Sequence, residues 1–342
     1  MRSSIPAAPH APRPHREAAH LSPSSPPPTD RAAWRRLRAL LPWLLGAAIL
    51  VWLLLRVPLG AVAAALAGGR WGALTAYVAF ELALLLVVDA WATAVTLRQC
   101  GGSPPFRDVL AMRGATYLLN LVHFGAGQGA FGWYLARAGR GGWGAGGALL
   151  LMLATQGLAL VLVVAAGLLL APPWLARPAL PVAALALAGI VVYLVVVAMR
   201  PGWAQRVALV RPLLVAGLRG HLVAGAARVP HMILLVALNW GLYRVWGMPV
   251  PLRFGLAVWP ILMLVSALPI TPSGLGTVQA MQVSLFAQWA PGRDLATQQA
   301  AVLALTIASY ALALLIQALI GAFALRALRR KLGEPPATTT PS

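Results

Sequence analysis

Two carboxylates, Glu81 and Asp89, interrupt the otherwise apolar stretch at residues 71–97 of this 342-residue sequence. An ionised carboxylate inside a bilayer costs at least ~2.5 kcal/mol on insertion scales, so such side chains usually face a polar interior. On one helix the two residues differ by about 80° around the axis and about 12 Å along it. We therefore expect both to line a substrate-binding cavity at two depths. The alternative is an ion pair with an arginine such as Arg113 or Arg107 that fixes helix packing.

A second candidate site lies at residues 268–279, which combine residues that end a helix with residues that begin one. Prolines stop the first helix, glycines let the backbone turn, and a serine is suited to cap the next helix. The resulting N–H groups would point into the membrane and favour a phosphate or a carboxylate. A simple kinked helix with tight glycine packing is the alternative. The predicted substrate-binding residues of this stretch are Pro269, Ser273, Gly274, Gly276, Thr277 and Gln279.

A glycine-rich stretch at residues 114–136 forms a counterpart in the first half of the chain. His123 in this stretch either relays protons or is a hydrogen-bonded structural histidine, and both readings stay open. The predicted substrate-binding residues of this stretch are Asn120, Gly127 and Gly129.

The composition places these residues in a membrane protein. The chain is 60% apolar and only 10% charged, with a mean hydropathy of +0.78, whereas soluble domains carry about 25% charged residues. The net charge of +20 comes from arginines in tails and short loops, so it indicates topology and contacts with anionic lipid headgroups rather than nucleic-acid binding. The single cysteine, Cys100, excludes an internal disulfide and a cysteine-based metal site.

The elements that must position the candidate residues are helices. We predict an all-α polytopic membrane protein with six full spans and two re-entrant helical hairpins, near 114–136 and 254–292. In this arrangement 21 of the 27 basic residues lie on the cytoplasmic side, more than when either broken stretch crosses the membrane. The predicted spans are 39–55, 71–97, 145–171, 178–199, 229–251 and 295–325.

The same topology predicts an inverted repeat, because residues 229–325 become residues 71–171 turned upside down. Helices interrupted by glycine and proline at matching positions of two inverted halves are typical of a transporter with its site at the midplane.

The remaining predictions concern the domain boundaries and the segment that connects the two halves of the repeat. We expect a disordered Pro- and Arg-rich cytoplasmic tail at 1–33, the transmembrane domain at 34–331 and a short tail at 332–342. Pro212 is expected to break any helix within residues 203–228, which would leave either two interfacial helices or a plain connecting loop.

The block from Leu268 to Gln279, with its Leu-Pro and its Gly-Leu-Gly, resembles the signature of the lysylphosphatidylglycerol synthase transmembrane region, a family of flippase-like membrane proteins. The resemblance covers roughly residues 40–330. It implies an inverted-repeat domain with two re-entrant hairpins that moves charged lipids between leaflets, and it matches Asp89 to an acidic residue of an early helix. Gln279 stands where the family pattern has Glu, and the Pro and Arg expected in the first hairpin are missing. No stretch corresponds to the family's soluble aminoacyl-transferase domain.

The leading hypothesis is therefore a lipid flippase in a bacterial inner membrane, with both termini cytoplasmic, that moves a phospholipid or other anionic lipid. Its expected partners are anionic lipids and a separate lipid-synthesising enzyme. The alternatives are a non-catalytic membrane scaffold and a membrane enzyme that modifies a lipid headgroup. The sequence contains no Walker A loop, nucleophile elbow or metal-ligand cluster, so we expect no cofactor and favour transport over catalysis.

Overall fold

The computed structural model describes residues 28–120, 124–267, 274 and 276–333, and these residues form helices without any strand. The chain divides into two compact units, residues 1–41 and 42–342. In the first unit the described residues are helical, and the second unit contains the remaining helices. The helices are α1 (Pro28–Arg56), α2 (Leu59–Ala67), α3 (Trp71–Gln99), α4 (Phe106–Asn120), α5 (Phe124–Leu135), α6 (Gly141–Leu170), α7 (Pro173–Met199), α8 (Gly202–Gln205), α9 (Arg211–Trp246), α10 (Leu252–Ala267), α11 (Thr277–Phe286) and α12 (Leu295–Gly333), with a π-helical turn at Ala136–Arg140 and a 3-10 turn at Ala287–Trp289.

The described helices are those of a polytopic membrane protein. Five stretches are long and apolar enough to cross a membrane, and a sixth is added if the bent pair Leu40–Arg56 and Leu59–Ala67 counts as one span. The two members of that pair meet at 91°, with Pro58 in an extended conformation before α2. The five stretches are Trp71–Gln99, Gly125–Leu170, Pro173–Met199, Arg211–Trp246 and Leu295–Arg330.

The prediction for residues 203–228 is wrong in its main point. Pro212 is the second residue of α9 and does not end it, because a proline in the first helical turn removes an N–H that has no partner there anyway. The helix is interrupted only at Gly217, whose φ of 59° and ψ of −177° are non-helical, and then continues to Trp246. The helix that was predicted to begin at residue 229 therefore begins at least about three helical turns earlier, after Gly217 or before it.

The break at Gly217 is held by His221, which lies buried one turn further along α9. One ring nitrogen, Nδ1, is 2.8 Å from the Gly217 carbonyl oxygen. The other, Nε2, is 2.7 Å from the Tyr193 hydroxyl of α7. The first contact gives the Gly217 carbonyl a side-chain partner at the interruption, and the second ties the His221 ring to α7.

Two groups of four helices follow the same order of a long helix, two short helices and a long helix. The first group is α3–α6 and the second is α9–α12. Their packing also corresponds, since α4 packs on α12 as α10 packs on α6, and α3 packs on α9. The single long helix α7 lies between the groups in the chain.

The first helices of the two groups, α3 and α9, run antiparallel. Trp71 at the start of α3 meets Trp246 at the end of α9, with ring centroids 6.0 Å apart. Further along, the Tyr77 hydroxyl donates to the Leu238 carbonyl at 2.7 Å, and Asp89 meets Arg228. This antiparallel pair forms the centre of the second unit and carries polar residues at two levels.

Candidate functional site

A cavity of about 280 Å³ lies among α3, α9, α10, α11 and α12. Apolar side chains such as Leu82, Leu262 and Leu305 form much of its wall. Its polar lining combines one carboxylate with amides, hydroxyls and aromatic donors. These polar residues are Glu81, Asn239, Tyr243, Trp259, Ser266, Gln279, Gln282, Thr306, Ser309 and Tyr310.

Glu81 is the one lining residue with a formal charge among those that the structure describes. It is only 9% exposed, and no described residue forms a hydrogen bond or an ion pair with its carboxylate. An ionisable group kept inside a membrane protein without a partner is a functional-site candidate. Glu81 thus lines a polar cavity, and its role in substrate binding stays a prediction.

Two buried hydrogen-bond donors of the same cavity also lack partners among the described residues. They are the Tyr243 hydroxyl and the Trp259 Nε1. Both rings are held by aromatic packing against Phe286, at centroid distances of 4.4 Å and 5.9 Å. Because buried polar groups are normally hydrogen-bonded, these fixed donors and the Glu81 acceptor are suited to bind a polar ligand.

The cavity wall at α11 is built by a helix cap. The Gly276 N–H donates to Gln279 Oε1 at 2.7 Å, and the Thr277 hydroxyl donates to the Gly274 carbonyl at 3.0 Å. Gln279 therefore satisfies an N–H group at the helix N-terminus while it lines the cavity. A glutamate would make the same cap, so Gln at this position keeps the cap and removes a charge.

Both described glycines of the second hairpin have backbone conformations that favour glycine, with φ of 74° at Gly274 and 80° at Gly276. A Cβ at Gly276 would lie 2.5 Å from the Gly46 carbonyl oxygen and 3.1 Å from Ile49 Cβ. This glycine thus allows α11 to begin in close contact with α1. Pro269 and Ser273 lie outside the described residues, as does His123.

Asp89 lies elsewhere, in a buried cluster of charges that does not line the cavity. Its Oδ2 accepts a hydrogen bond from Arg113 Nε at 2.5 Å, and its Oδ1 accepts one from Arg228 Nη1. Arg228 Nη2 also donates to the Thr93 hydroxyl at 2.8 Å. The cluster joins α3, α4 and α9, so the ion pair between Asp89 and Arg113 that the sequence offered as an alternative is present.

Arg107, the other arginine named as a possible partner, is exposed and its Nε lies 4.0 Å from Asp108 Oδ1. In the first hairpin the Asn120 side chain fills the space where a Cβ of Gly127 would stand, and Gly129 faces open space. The structure therefore brings Glu81 together with Gln279, and Asn120 together with Gly127. It does not bring Asp89, Asn120, Gly127 or Gly129 to the cavity.

Sequence reasoning missed Arg228, which it placed in a cytoplasmic loop because Pro212 was expected to end the helix. A signal was available, since Gly220, Ala224 and Ala227 continue the helical period of buried small residues toward it. It also missed the cavity residues on α9, α10 and α12. The hydroxyls at Thr306, Ser309 and Tyr310 show the three- and four-residue spacing of one helix face.

The described residues thus define an all-helical, multi-pass membrane protein with a polar cavity among its helices. Within this class, the chain belongs to the family of the lysylphosphatidylglycerol synthase TM region, which matches residues 39–321. The resemblance drawn from residues 268–279 is confirmed, and the protein is a lipid-related membrane protein. Comparison with curated proteins and with solved structures gave no match.

Proposed function

We propose that this protein moves a phospholipid between the two leaflets of a bacterial inner membrane, with the lipid headgroup passing through the cavity that contains Glu81. The observation that carries the proposal is a carboxylate, that of Glu81, in one cavity with two buried donors, Tyr243 and Trp259, none of which has a partner among the described residues. A membrane-embedded site of this kind suits a ligand that brings its own donors and acceptors, as a lipid headgroup does.

The wall of the cavity at α12 supports entry from the surrounding lipid. Tyr310 lines the cavity and is 40% exposed at the surface of the helical bundle. A lipid could therefore place its headgroup among the polar residues while its acyl chains stay outside.

We also propose that the two four-helix groups form an inverted repeat, with α4–α5 and α10–α11 as re-entrant hairpins. The antiparallel course of α3 and α9, the equivalent first helices, supports this. One long helix between the groups, α7, supports it as well, because one span reverses the side from which the next group begins. Inverted repeats with broken helices at matching positions are typical of transporters.

Both termini belong on the cytoplasmic side in this proposal. Arg113 and Arg228 are buried among helices, so they are not counted among the basic residues of the loops. Most of the remaining basic residues still lie on the side that carries the termini, as cytoplasmic loops require.

The proposal is tested with the full chain in liposomes that contain a fluorescent phospholipid, using a membrane-impermeant quencher to follow exchange between leaflets. Glu81→Gln should lower the rate at least ~10-fold, because removal of one buried partner of a charged hydrogen bond costs upwards of ~1.4 kcal/mol. Asp294→Asn is the matched control, since it removes an exposed carboxylate outside the cavity.

If the Glu81→Gln variant translocates lipid at the wild-type rate, the cavity takes no part in translocation. Absence of translocation by the folded wild-type protein would favour the scaffold, and turnover of a lipid headgroup in detergent would favour the enzyme.

A further inference from the structure

The buried cluster around Asp89 holds more positive than negative charge. Two guanidinium groups, those of Arg113 and Arg228, face a single carboxylate. Arg228 is 0% exposed and Arg113 is 8% exposed, so both are shielded from bulk solvent. His231, one turn after Arg228 on α9, is buried beside them and adds no negative charge. An unbalanced charge among membrane helices is costly and marks a functional site.

The hydrogen bonds of the cluster show the same imbalance. Asp89 uses both of its oxygens on the two arginines, and the Thr93 hydroxyl accepts from Arg228. Arg113 Nη1 and Arg228 Nε, both buried, have no partner among the described residues. Two cationic donors of the cluster therefore remain without a described hydrogen-bond partner. His231 Nδ1 beside them also lacks one, and the Arg113 guanidinium lies over the Phe131 ring, 5.3 Å from its centroid.

We propose that this cluster is an anion-binding site that takes a phosphate group, held by Arg113 and Arg228. Guanidinium groups bind phosphate oxygens with directed, charge-assisted hydrogen bonds. One phosphate would neutralise the surplus charge and accept from the two remaining donors. The inference rests on the proposed function where the phosphate belongs to the transported lipid, and free phosphate is the other source of the same chemistry.

The phosphate site and the cavity lie at two levels of α3. Asp89 and Glu81 lie on the same helix, about 12 Å apart along its axis and about 80° apart around it. The arginine cluster would receive the phosphate at one level, and the cavity would receive the polar end of the headgroup at the other.

The experiment measures thermal unfolding of the full chain in detergent, with sodium phosphate exchanged for sodium gluconate at constant ionic strength. A ligand that binds only the folded protein raises the unfolding midpoint, so phosphate should raise that of the wild type. Arg113→Gln leaves a balanced pair of Asp89 and Arg228 and should weaken phosphate binding at least tenfold. Arg140→Gln, which removes an arginine bound to the Leu97 and Cys100 carbonyls outside the cluster, should respond as the wild type does.

Asp89→Asn provides a readout that a purely structural ion pair would not give. This variant should be destabilised in gluconate, and phosphate should restore more of its unfolding midpoint than it adds to that of the wild type. If Arg113→Gln does not fold, Arg113→Lys keeps the charge but removes the second donor, and its phosphate affinity should still fall about tenfold.

A wild-type midpoint that is the same in phosphate and gluconate would overturn the inference. So would an unchanged phosphate response in the folded Arg113 variant.

The source of the phosphate is decided by three probes on the wild type. Short-chain phosphatidylglycerol that stabilises at lower concentration than inorganic phosphate, while short-chain diacylglycerol has no effect, identifies a lipid phosphate. Equal effects of inorganic phosphate and phosphatidylglycerol identify a free-anion site.

No leaflet exists in detergent, so a negative result here leaves the translocation assay untouched. Loss of translocation with phosphate binding intact would contradict the proposed function alone.

Discussion

The two hairpins of the second unit share an order of helices but differ in what they bury. The hairpin of α4 and α5 contributes Arg113 to a buried cluster in which two arginines share one carboxylate. The hairpin of α10 and α11 contributes Trp259, Gln279 and Gln282 to a cavity that contains neutral polar groups and one carboxylate, which no described residue pairs with. One order of helices thus supports a buried ionic cluster at one hairpin and a polar cavity at the other.

The difference shows that a carboxylate inside a membrane has two stable outcomes, and α3 carries both. Asp89 is bound by two arginines from neighbouring helices, whereas Glu81 faces a cavity and has no bonded partner within the described part of the chain. The first arrangement ties helices together, and the second keeps a group available for a ligand. The two roles should differ in their effect on stability.

The largest expected effect is that of Asp89→Ala. It leaves two buried guanidinium groups without their carboxylate, and breaking a buried pair in this way costs about 3–5 kcal/mol. Glu81→Gln is the matched control and should change the free energy of unfolding by less than about 1 kcal/mol, because no bonded partner is stranded. Reversible unfolding in mixed micelles measures both. Equal destabilisation by the two variants would contradict the distinction between paired and unpaired carboxylates.

A smaller effect is expected from Gly276→Ala in the second hairpin. The residue has a φ of 80° and stands against Gly46, so a side chain adds backbone strain and a clash that together cost about 1–3 kcal/mol. The corresponding change in the first hairpin, Gly129→Ala, meets no atom within 4 Å and should stabilise its helix by up to about 1 kcal/mol. Unfolding curves of the two variants should therefore shift in opposite directions. A shift in the same direction would show that the glycines of the two hairpins are equivalent.

The sequence predicted the helices around the candidate residues better than it predicted their partners. Trp71–Gln99 was expected because its apolar run is long and its flanks are polar. Glu81 and Gln279 were named as site residues, and the structure places both at one cavity.

Arg113 was named as a possible partner of Asp89, whereas the other partners were missed because they come from distant parts of the chain. Arg228 lies 139 residues from Asp89 in sequence, and only the antiparallel pairing of α3 with α9 brings them together. The two donors, Tyr243 and Trp259, pack against each other in an aromatic cluster. In the sequence, such aromatic residues cannot be distinguished from those of an ordinary apolar core. The wrong prediction at Pro212 arose because proline acts oppositely at the start and in the interior of a helix.

Gln279→Ala should have a more modest effect than the glycine substitution. It removes the side chain that accepts from the Gly276 N–H, and loss of such a cap costs about 1 kcal/mol. Gln279→Glu should retain the cap and unfold within about 0.5 kcal/mol of the wild type. The free energies of unfolding of the two variants measure the difference. If Ala and Glu at this position destabilise equally, the cap does not stabilise α11.

The smallest effect is expected at the start of α12, the last helix of the second group. The Thr297 N–H and hydroxyl donate to the Asp294 carboxylate, and these hydrogen bonds hold the pKa of Asp294 below its ordinary value. A carboxylate with a lowered pKa in the folded state stabilises above its unfolded pKa of about 3.9, and the contribution is lost as pH falls through the folded value. The unfolding midpoint should therefore decline slightly more steeply below about pH 4 in the wild type than in Asp294→Asn, which caps but does not titrate.

The equivalent helix of the first group, α6, begins after Arg140 without a side-chain cap, so no such dependence is expected from that end. A wild-type and an Asp294→Asn protein with identical acid profiles would show that the Asp294 cap contributes nothing.

The central claim is that the two groups of helices are inverted copies whose hairpins enter from opposite faces of the membrane. It is tested most directly in a Cys100→Ser background with single cysteines at Ala138, at the base of the first hairpin, and at Arg293, at the base of the second. Both positions are exposed. A membrane-impermeant thiol reagent is applied to sealed vesicles of known orientation. The account predicts that Ala138→Cys reacts only from the cytoplasmic face and Arg293→Cys only from the opposite face. Reaction of both cysteines from the same face would contradict it.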